Sequence, residues 1–311
     1  MPPERAHDIL AAMIPTREWV EVALDYRCNL RCLGCRACED TGASLSPTDA
    51  LAVLREARAA RIANLWIGGG EPTLRPELPS LIAAARKLGF SRVLVQTNGV
   101  RLSYLEYAAA LVHKGATDLS FNVKSHRAEV HDALGRSPGS HALLLKALAN
   151  VSGLDVSVAA DVLLARSSLP DLAATIDSFA ERGISRFTLW LLSAADSDDA
   201  EVTREIPSFA ELVAPVHEAF EVAARRGVEL VSLHTPPCTL APEHRAQYLP
   251  AAKLRLQVVD PSGRSFPLES SPFEGGRYVD SCSRCSARQG CAGLREDHLR
   301  LHGAGDLEAL D

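Results

Sequence analysis

Strand-like and helix-like stretches alternate six times through the middle of this 311-residue chain, and that rhythm restricts the fold more than any other feature. Residues 20–24 alternate apolar and charged side chains, the period of a strand. Ser46-Pro47-Thr48-Asp49 opens a helix that runs to about Arg61, with Pro47 at its first position. Further strands are expected at 65–67, 92–96, 118–123, 156–164 and 187–192. Helices between them are expected at 75–88, 103–114, 141–151 and 172–182, and Gly89, Gly115 and Gly183 stop three of these. Residues 124–139 read as a loop, 207–226 as a helix stopped by Gly227, and 229–233 as one further strand.

Such alternation calls for a parallel sheet with right-handed crossovers. Six units are too few for a closed eight-fold barrel. The expected fold is therefore α/β, a partial (β/α)6 TIM-like barrel. The rhythm breaks near Pro236. Beyond it, residues 254–260 and 264–268, joined by Pro261-Ser262-Gly263, read as a β-hairpin, and a polar helix starts near Leu294. The expected organisation is an N-terminal segment over 1–18, a barrel over 19–235 and a small extension over 236–311. An extension that short calls for a staple.

Composition narrows the function. A net charge of −6 argues against the basic face of a sequence-independent nucleic-acid grip, so no DNA partner is expected. The first residues lack the apolar core of a secretory signal, and no apolar run approaches the ~18 residues of a membrane span. The expected location is the cytoplasm, away from membranes. Eight cysteines in a cytoplasmic chain point to metal or redox chemistry more than to disulfides. Cys28, Cys32, Cys35 and Cys38 lie near the front, Cys238, Cys282, Cys285 and Cys291 near the rear, and none lies between. Two local groups suggest two metal centres.

The front run Cys28-x-x-x-Cys32-x-x-Cys35 offers three closely spaced thiolates. A four-iron cluster takes a thiolate on each iron, so three leave one iron open to another ligand. In parallel α/β folds, ligands gather at the carboxyl ends of the strands. The first expected strand ends in the cysteine run, the second in Gly68-Gly69-Gly70-Glu71-Pro72, and the third in Thr97-Asn98-Gly99. The fourth carries Ser120 and Asn122 near its end.

Together, the cysteine run, Gly68-Gly69-Gly70-Glu71-Pro72 and Thr97-Asn98-Gly99 resemble the radical S-adenosylmethionine (SAM) enzymes over roughly residues 20 to 230. The resemblance implies that Cys28, Cys32 and Cys35 hold a [4Fe-4S] cluster whose fourth iron is chelated by the amino and carboxylate groups of SAM. It implies reductive cleavage of SAM to a 5′-deoxyadenosyl radical and hydrogen abstraction from a substrate C–H bond. Gly68, Gly69 and Gly70, with help from Glu71, are expected to receive the SAM amino group. Thr97, Ser120 and Asn122 are expected to hydrogen-bond its carboxylate and ribose. Lys124 and Arg166 are read either as partners of the SAM carboxylate or substrate, or as solvated loop charges.

The rear set, Cys282-x-x-Cys285-x-x-x-x-x-Cys291 with Cys238 upstream, resembles the extensions called SPASM or twitch in that superfamily. Four thiols suffice for one auxiliary [4Fe-4S] cluster with full ligation; tetrahedral zinc is the rival occupant. Cys38 is read by default as a spare buried thiol, with a substrate contact or an acid/base role left open. Asp196-Ser197-Asp198-Asp199 is read as a solvated loop, with a place facing a cationic substrate as the alternative, and Trp66 and Trp190 as core. His126, His131 and His141 show no metal spacing.

The resemblance implies a peptide or small-molecule substrate and an electron donor such as flavodoxin or ferredoxin. The short N-terminal run leaves no room in this sequence for an upstream peptide-recognition domain, which leaves a separate recognition protein open. Two other readings remain: a non-catalytic iron–sulfur or zinc scaffold, and a tRNA-modifying radical SAM enzyme, which needs a basic face.

Overall fold

The computed structural model describes residues 17–35, 42–194, 199–271, 274, 276–305 and 307–311. Cys38 and residues 196–198 of the acidic run lie outside the described residues, as do residues 1–16. In chain order the elements are β1 (Trp19–Ala23), α1 (Pro47–Ala59), β2 (Asn64–Gly68), α2 (Leu78–Lys87), β3 (Arg92–Thr97), α3 (Leu105–His113), β4 (Asp118–Val123), α4 (Ala128–Gly135), α5 (Ser140–Val151) and β5 (Ser157–Leu164). They continue with α6 (Leu172–Ala180), β6 (Arg186–Leu191), α7 (Ala200–Glu205), α8 (Phe209–Arg226), β7 (Glu229–Ser232), β8 (Leu256–Val259), β9 (Ser265–Pro267), β10 (Gly276–Arg277), β11 (Leu294–Arg295) and α9 (Glu296–His302). Short 3-10 turns fill several of the connections. No described helix is long and apolar enough to cross a membrane.

The chain divides into two compact units. The first holds the described residues up to Asn122, together with Ala142–Ala159 and Leu254–Leu268. Its strands run in the order β4-β3-β2-β1-β8-β9. The neighbours from β4 through β8 are parallel, and only β8 and β9 are antiparallel. Register places Val20 beside Leu65 and Leu65 beside Val93, and likewise Val22, Ile67 and Val95. All six are buried. Alternation puts them on one face of the sheet, and Glu21, Trp66 and Gln96 on the other. Ala50, Val53, Leu54 and Ala57 of α1 and Leu78, Leu81, Ile82 and Ala85 of α2 form the buried sides of those helices. The Ser46 hydroxyl caps α1 by accepting the Asp49 N–H at 3.1 Å, and Pro47 occupies a first-turn position where its missing donor costs nothing.

Two local departures from the sequence reading have clear causes. The helix expected from Arg75 begins only at Leu78. Arg75 is extended (φ −79°, ψ 116°) because Pro76 follows it and disfavours the helical region. The expected hairpin forms, with Gly263 at φ 81° in its turn. Its first strand lies parallel to β1, pairing Trp19 with Leu256 and Val22 with Val259.

The second unit holds Val123–His141, Ala160–Lys253 and the residues from Glu269 onward. Its strands run β7-β6-β5, with β6 and β7 parallel and Phe187 beside Leu230. Helices α6 and α8 pack together, and Arg226 of α8 pairs with Asp177 at 2.6 Å and Glu181 at 2.6 Å on the exposed side. A capping box between Ser208 and Glu211 opens α8, and Gly227 in the left-handed region (φ 66°) closes it. The loop expected over 124–139 contains α4, whose buried positions are His131, Leu134 and Gly135. So few apolar residues hid its periodicity. The expected tail helix starts two residues late, because Leu294 and Arg295 pair with Arg277 and Gly276 as a strand.

Candidate active site and cysteine clusters

In the first unit the parallel strands bring their carboxyl ends to one rim, and the segments leaving β1, β2 and β3 interlock there. The N–H of Gly70 donates to the Asp25 carbonyl at 2.8 Å, and that of Glu71 to the Arg27 carbonyl at 2.8 Å. This crossing explains the glycines. A Cβ on Gly70 would stand 2.2 Å from the Arg27 carbonyl oxygen, and one on Gly69, already at φ 107°, would stand 2.5 Å from that of Asp25. A Cβ on Gly68 would stand 2.7 Å from Glu21 Oε1. The glycine run lets the backbone pass the strand that feeds Cys28, whatever ligand it also meets.

Glu71 is buried, and its carboxylate is consumed by the protein. Oε1 accepts the Thr73 N–H at 3.1 Å and the hydroxyls of Thr73 at 2.6 Å and Thr97 at 2.8 Å. Oε2 accepts the Asn98 N–H at 2.7 Å. Burial pushes the Glu71 carboxyl above its usual range, while the bonds from Asn98, Thr73 and Thr97 pull it back. Thr97 is equally committed, since its oxygen also accepts the Gly99 N–H at 3.1 Å. Ser120 is buried and Asn122 half-buried on β4.

The cysteine run leaves β1 through a tight turn. The Cys35 N–H donates to the Cys32 carbonyl at 3.1 Å, and Gly34 takes φ 70°. Cys28 and Cys32 are half-buried and Cys35 is exposed. The Cys28 sulfur receives the Leu30 N–H at 3.4 Å and the Asn98 amide nitrogen Nδ2 at 3.7 Å. Burial raises the Cys28 thiol above its usual range, and the nearby charges of Glu71 and Cys32 raise it further. A thiol placed like Cys28 resists ionisation; a bound cation reverses that preference and makes a thiolate ligand. Three thiols outside any disulfide, with an N–H already aimed at one sulfur, fit an iron–sulfur cluster.

Two features escaped the sequence reading. Asn98 joins the third rim segment to the first, since its Nδ2 also donates to Asn29 Oδ1 at 2.8 Å. Its place in Thr97-Asn98-Gly99 was the available signal. The second is a buried cation beneath the loop. Arg75 Nη1 donates to Asp25 Oδ2 at 3.1 Å and to the Leu24 carbonyl at 3.2 Å, and Nη2 donates to the Leu45 carbonyl at 2.8 Å.

In the second unit, Cys238 lies in the 3-10 turn Pro237–Thr239, Cys282 lies in Asp280–Arg284, and Cys285 and Cys291 flank Ser286–Gly290. All four are half-buried and free. Burial and the mutual proximity of Cys291, Cys282 and Cys285 push the Cys238 thiol up to about 11. The sequence reading groups Cys238 with the other three, and in the fold it lies close enough to feel their charges. The Gly293 N–H donates to Cys291 Sγ at 3.3 Å. The Tyr248 hydroxyl, which accepts the Ala292 N–H at 3.0 Å, also donates to that sulfur. Four converging thiols with outer donors fit a fully ligated cluster by donor chemistry.

Other candidates take structural positions. Lys124 is buried, not a solvated charge. Arg166 pairs with Glu211 at 2.9 Å, donates to the Arg204 and Ile206 carbonyls, and holds the Glu211 carboxyl down to about 2. His131 packs edge-on to His141 with ring centroids 5.4 Å apart. Trp66 and Trp190 are only partly buried, and Trp190 donates to Asp161 at 3.1 Å.

Residues 24–165 match the radical SAM superfamily. The mycofactocin maturase MftC of Mycobacterium ulcerans is 34% identical over 165 residues, which cover 50% of this chain and 43% of MftC. MftC of Mycobacterium tuberculosis is 32% identical over 163 residues, covering 50% and 39%. The chain thus spans less than half the length of the curated relatives it matches. Among solved structures, Streptococcus suis SuiB bound to S-adenosylmethionine aligns with a TM-score of 0.68 at 15% identity, over 99% of this chain and 80% of SuiB. Native anSMEcpe, with bound AdoMet and a peptide, aligns at 0.67 and 13% identity, over 94% and 92%. At such identities the likeness shows the fold, a mostly parallel α/β sheet of the partial TIM-like barrel class. Over residues 24–165, a little under half of its length, the chain is similar to the radical SAM superfamily.

Proposed function

We propose that this chain is a radical SAM enzyme that modifies a peptide, with Cys28, Cys32 and Cys35 holding the SAM-binding [4Fe-4S] cluster. When bound, cluster and SAM supply a 5′-deoxyadenosyl radical that takes hydrogen from a substrate C–H bond. The observation that carries the reading is the three-thiol turn interlocked with the glycine run at one rim of a parallel sheet. Gly68, Gly69 and Gly70 present backbone to the SAM amino group. Glu71 and Thr97 act as struts that fix this backbone, because their polar atoms are already engaged. Ser120 and Asn122 face the ribose and carboxylate of SAM. Asn98 orients Cys28.

Cys238, Cys282, Cys285 and Cys291 hold one auxiliary [4Fe-4S] cluster in a SPASM- or twitch-like extension over 236–311. A peptide substrate is favoured over a small molecule because one relative is a maturase, and solved structures of SuiB and anSMEcpe each hold a bound peptide. Described cysteines outside disulfides suit the reducing cytoplasm, where a flavodoxin or ferredoxin serves as electron donor.

Anaerobic loading with iron and sulfide, then SAM and dithionite, tests this. Two full clusters give about eight irons per chain, and SAM is cleaved to 5′-deoxyadenosine. Cys32→Ala abolishes cleavage, and Cys285→Ala spares the front cluster. About four irons with sulfur-bound zinc would reassign the rear site, and an iron-loaded chain that leaves SAM intact would overturn the enzyme reading.

A further inference from the structure

His217 and Glu221 stand one turn apart on α8, and therefore on one helix face. The 3-10 segment Pro242–Gln247 carries Glu243 and His244 to that face. One ligand atom from each of His217, Glu243 and His244 lies within 4.8 Å of the other two. The imidazole centroids are 5.1 Å apart, and His244 stacks on Phe220 at 4.9 Å. None of these residues belongs to either cysteine cluster.

The hydrogen bonding of the two imidazoles is incomplete. Nδ1 of His217 and Nε2 of His244 are both buried without a hydrogen-bond partner. His244 is only 7% exposed, and its Nε2 has Glu221 Oε1 at 3.3 Å, outside hydrogen-bond geometry. Most buried side-chain nitrogens are hydrogen-bonded; His141 and His298 also leave one unpaired, but among the described residues only His217 and His244 share a metal-sized group with a carboxylate. Two orphaned nitrogens beside two carboxylates form a donor set for a borderline divalent cation. Calcium and magnesium require oxygen ligands throughout, whereas zinc accepts imidazole and carboxylate together in a tetrahedron.

We propose that His217, Glu243 and His244 form a zinc site, with Glu221 as fourth ligand, and that the ion staples Pro242–Gln247 to α8. The full-length chain, already loaded with iron and sulfide, is titrated with zinc sulfate under anaerobic conditions, and zinc and iron are counted after free metal is removed. The expected result is about one additional zinc per chain with iron unchanged. Zinc K-edge absorption then shows nitrogen and oxygen neighbours at ~2.0–2.2 Å and no sulfur shell at ~2.3 Å. His217→Ala and Glu243→Gln each weaken binding at least ~10-fold, the lower bound for disturbing even an outer-shell partner. Glu243 is exposed, so its variant keeps the test readable should substitutions at His244 disturb packing. Failure to retain zinc, a sulfur shell, or affinity untouched by both variants overturns the site. SAM cleavage is not read here, so the catalytic proposal stands or falls separately.

Discussion

The carboxylate of Asp25 meets the guanidinium of Arg75 at 3.1 Å, with only 4% and 5% of the two side chains exposed. Asp25 directly follows the first strand's exit, and Arg75 follows the glycine run. The same guanidinium holds the Leu24 and Leu45 carbonyls, so one buried cation ties together the segments around the cysteine turn. Asp25 also accepts the backbone N–H of Arg27, one residue before Cys28, at 3.1 Å. The position of the first thiol is thereby set from beneath.

Breaking this pair is costly, because the remaining charge stays buried without its partner. Arg75→Met is expected to lower the unfolding free energy by ~3–5 kcal/mol. Urea unfolding of the iron-loaded chain measures it. A loss under ~1 kcal/mol would mean that Arg27, which also pairs with Asp25 at 2.7 Å, compensates.

Gly70→Ala tests the crossing of the two rim segments. The added methyl lands 2.2 Å from the Arg27 carbonyl oxygen, and backbone must move to relieve it. The front centre is expected to lose its iron while the rear centre keeps its own, so iron per chain falls by about half. Gly153→Ala is the control, since no atom lies within 4 Å of a Cβ there. Iron content unchanged by Gly70→Ala would show that the loop accommodates a side chain and that the glycine serves only a ligand.

The sheet and the rim were legible because strand–helix periodicity and glycine stops are local signals. Pro47 and Gly227 fall where the sequence places them for that reason. The Asp25–Arg75 pair was not legible, because nothing local marks a buried arginine whose partner lies 50 positions upstream. Helix α4 was missed because His131 takes a core position that an apolar residue usually fills. The glycine run was recognised, but its steric reason was not: the clash that forbids a Cβ comes from Tyr26 and Arg27 on another segment.

Tyr248 tunes the rear centre through its bond to Cys291. Hydrogen bonds to cluster sulfurs stabilise the reduced, more negative state and raise the potential. Tyr248→Phe removes that donor with little change in volume. The auxiliary centre is expected to shift to a more negative potential while the front centre stays put, read by an EPR-monitored redox titration. Equal potentials in the variant and the parent would reduce Tyr248 to a packing residue that anchors Ala292.

Acid sensitivity above the carboxylate range is expected to come from histidines held neutral. Burial, then the charges of Lys124 and His141, lowers His131 from 6.5 to about 3, and burial lowers His298 to about 4. Unfolding restores each to its ordinary value, so the unfolded chain takes up protons that the folded chain refuses. Stability is then fully present above about pH 6.5 and declines as pH falls toward those lowered values, with a limiting slope of ~1.4 kcal/mol per pH unit for each group. Asp132, Asp297 and Glu211 carry lowered values, so their contributions are lost only at still more acid pH. Urea unfolding between about pH 6.5 and about pH 5 therefore reads the histidines against the opposing contribution of Glu71, whose raised carboxyl holds a proton more readily in the folded chain. His131→Asn is expected to flatten that slope. A slope unchanged by the substitution would mean that His131 takes its proton in the folded chain, and that the packing around α4 tolerates an imidazolium.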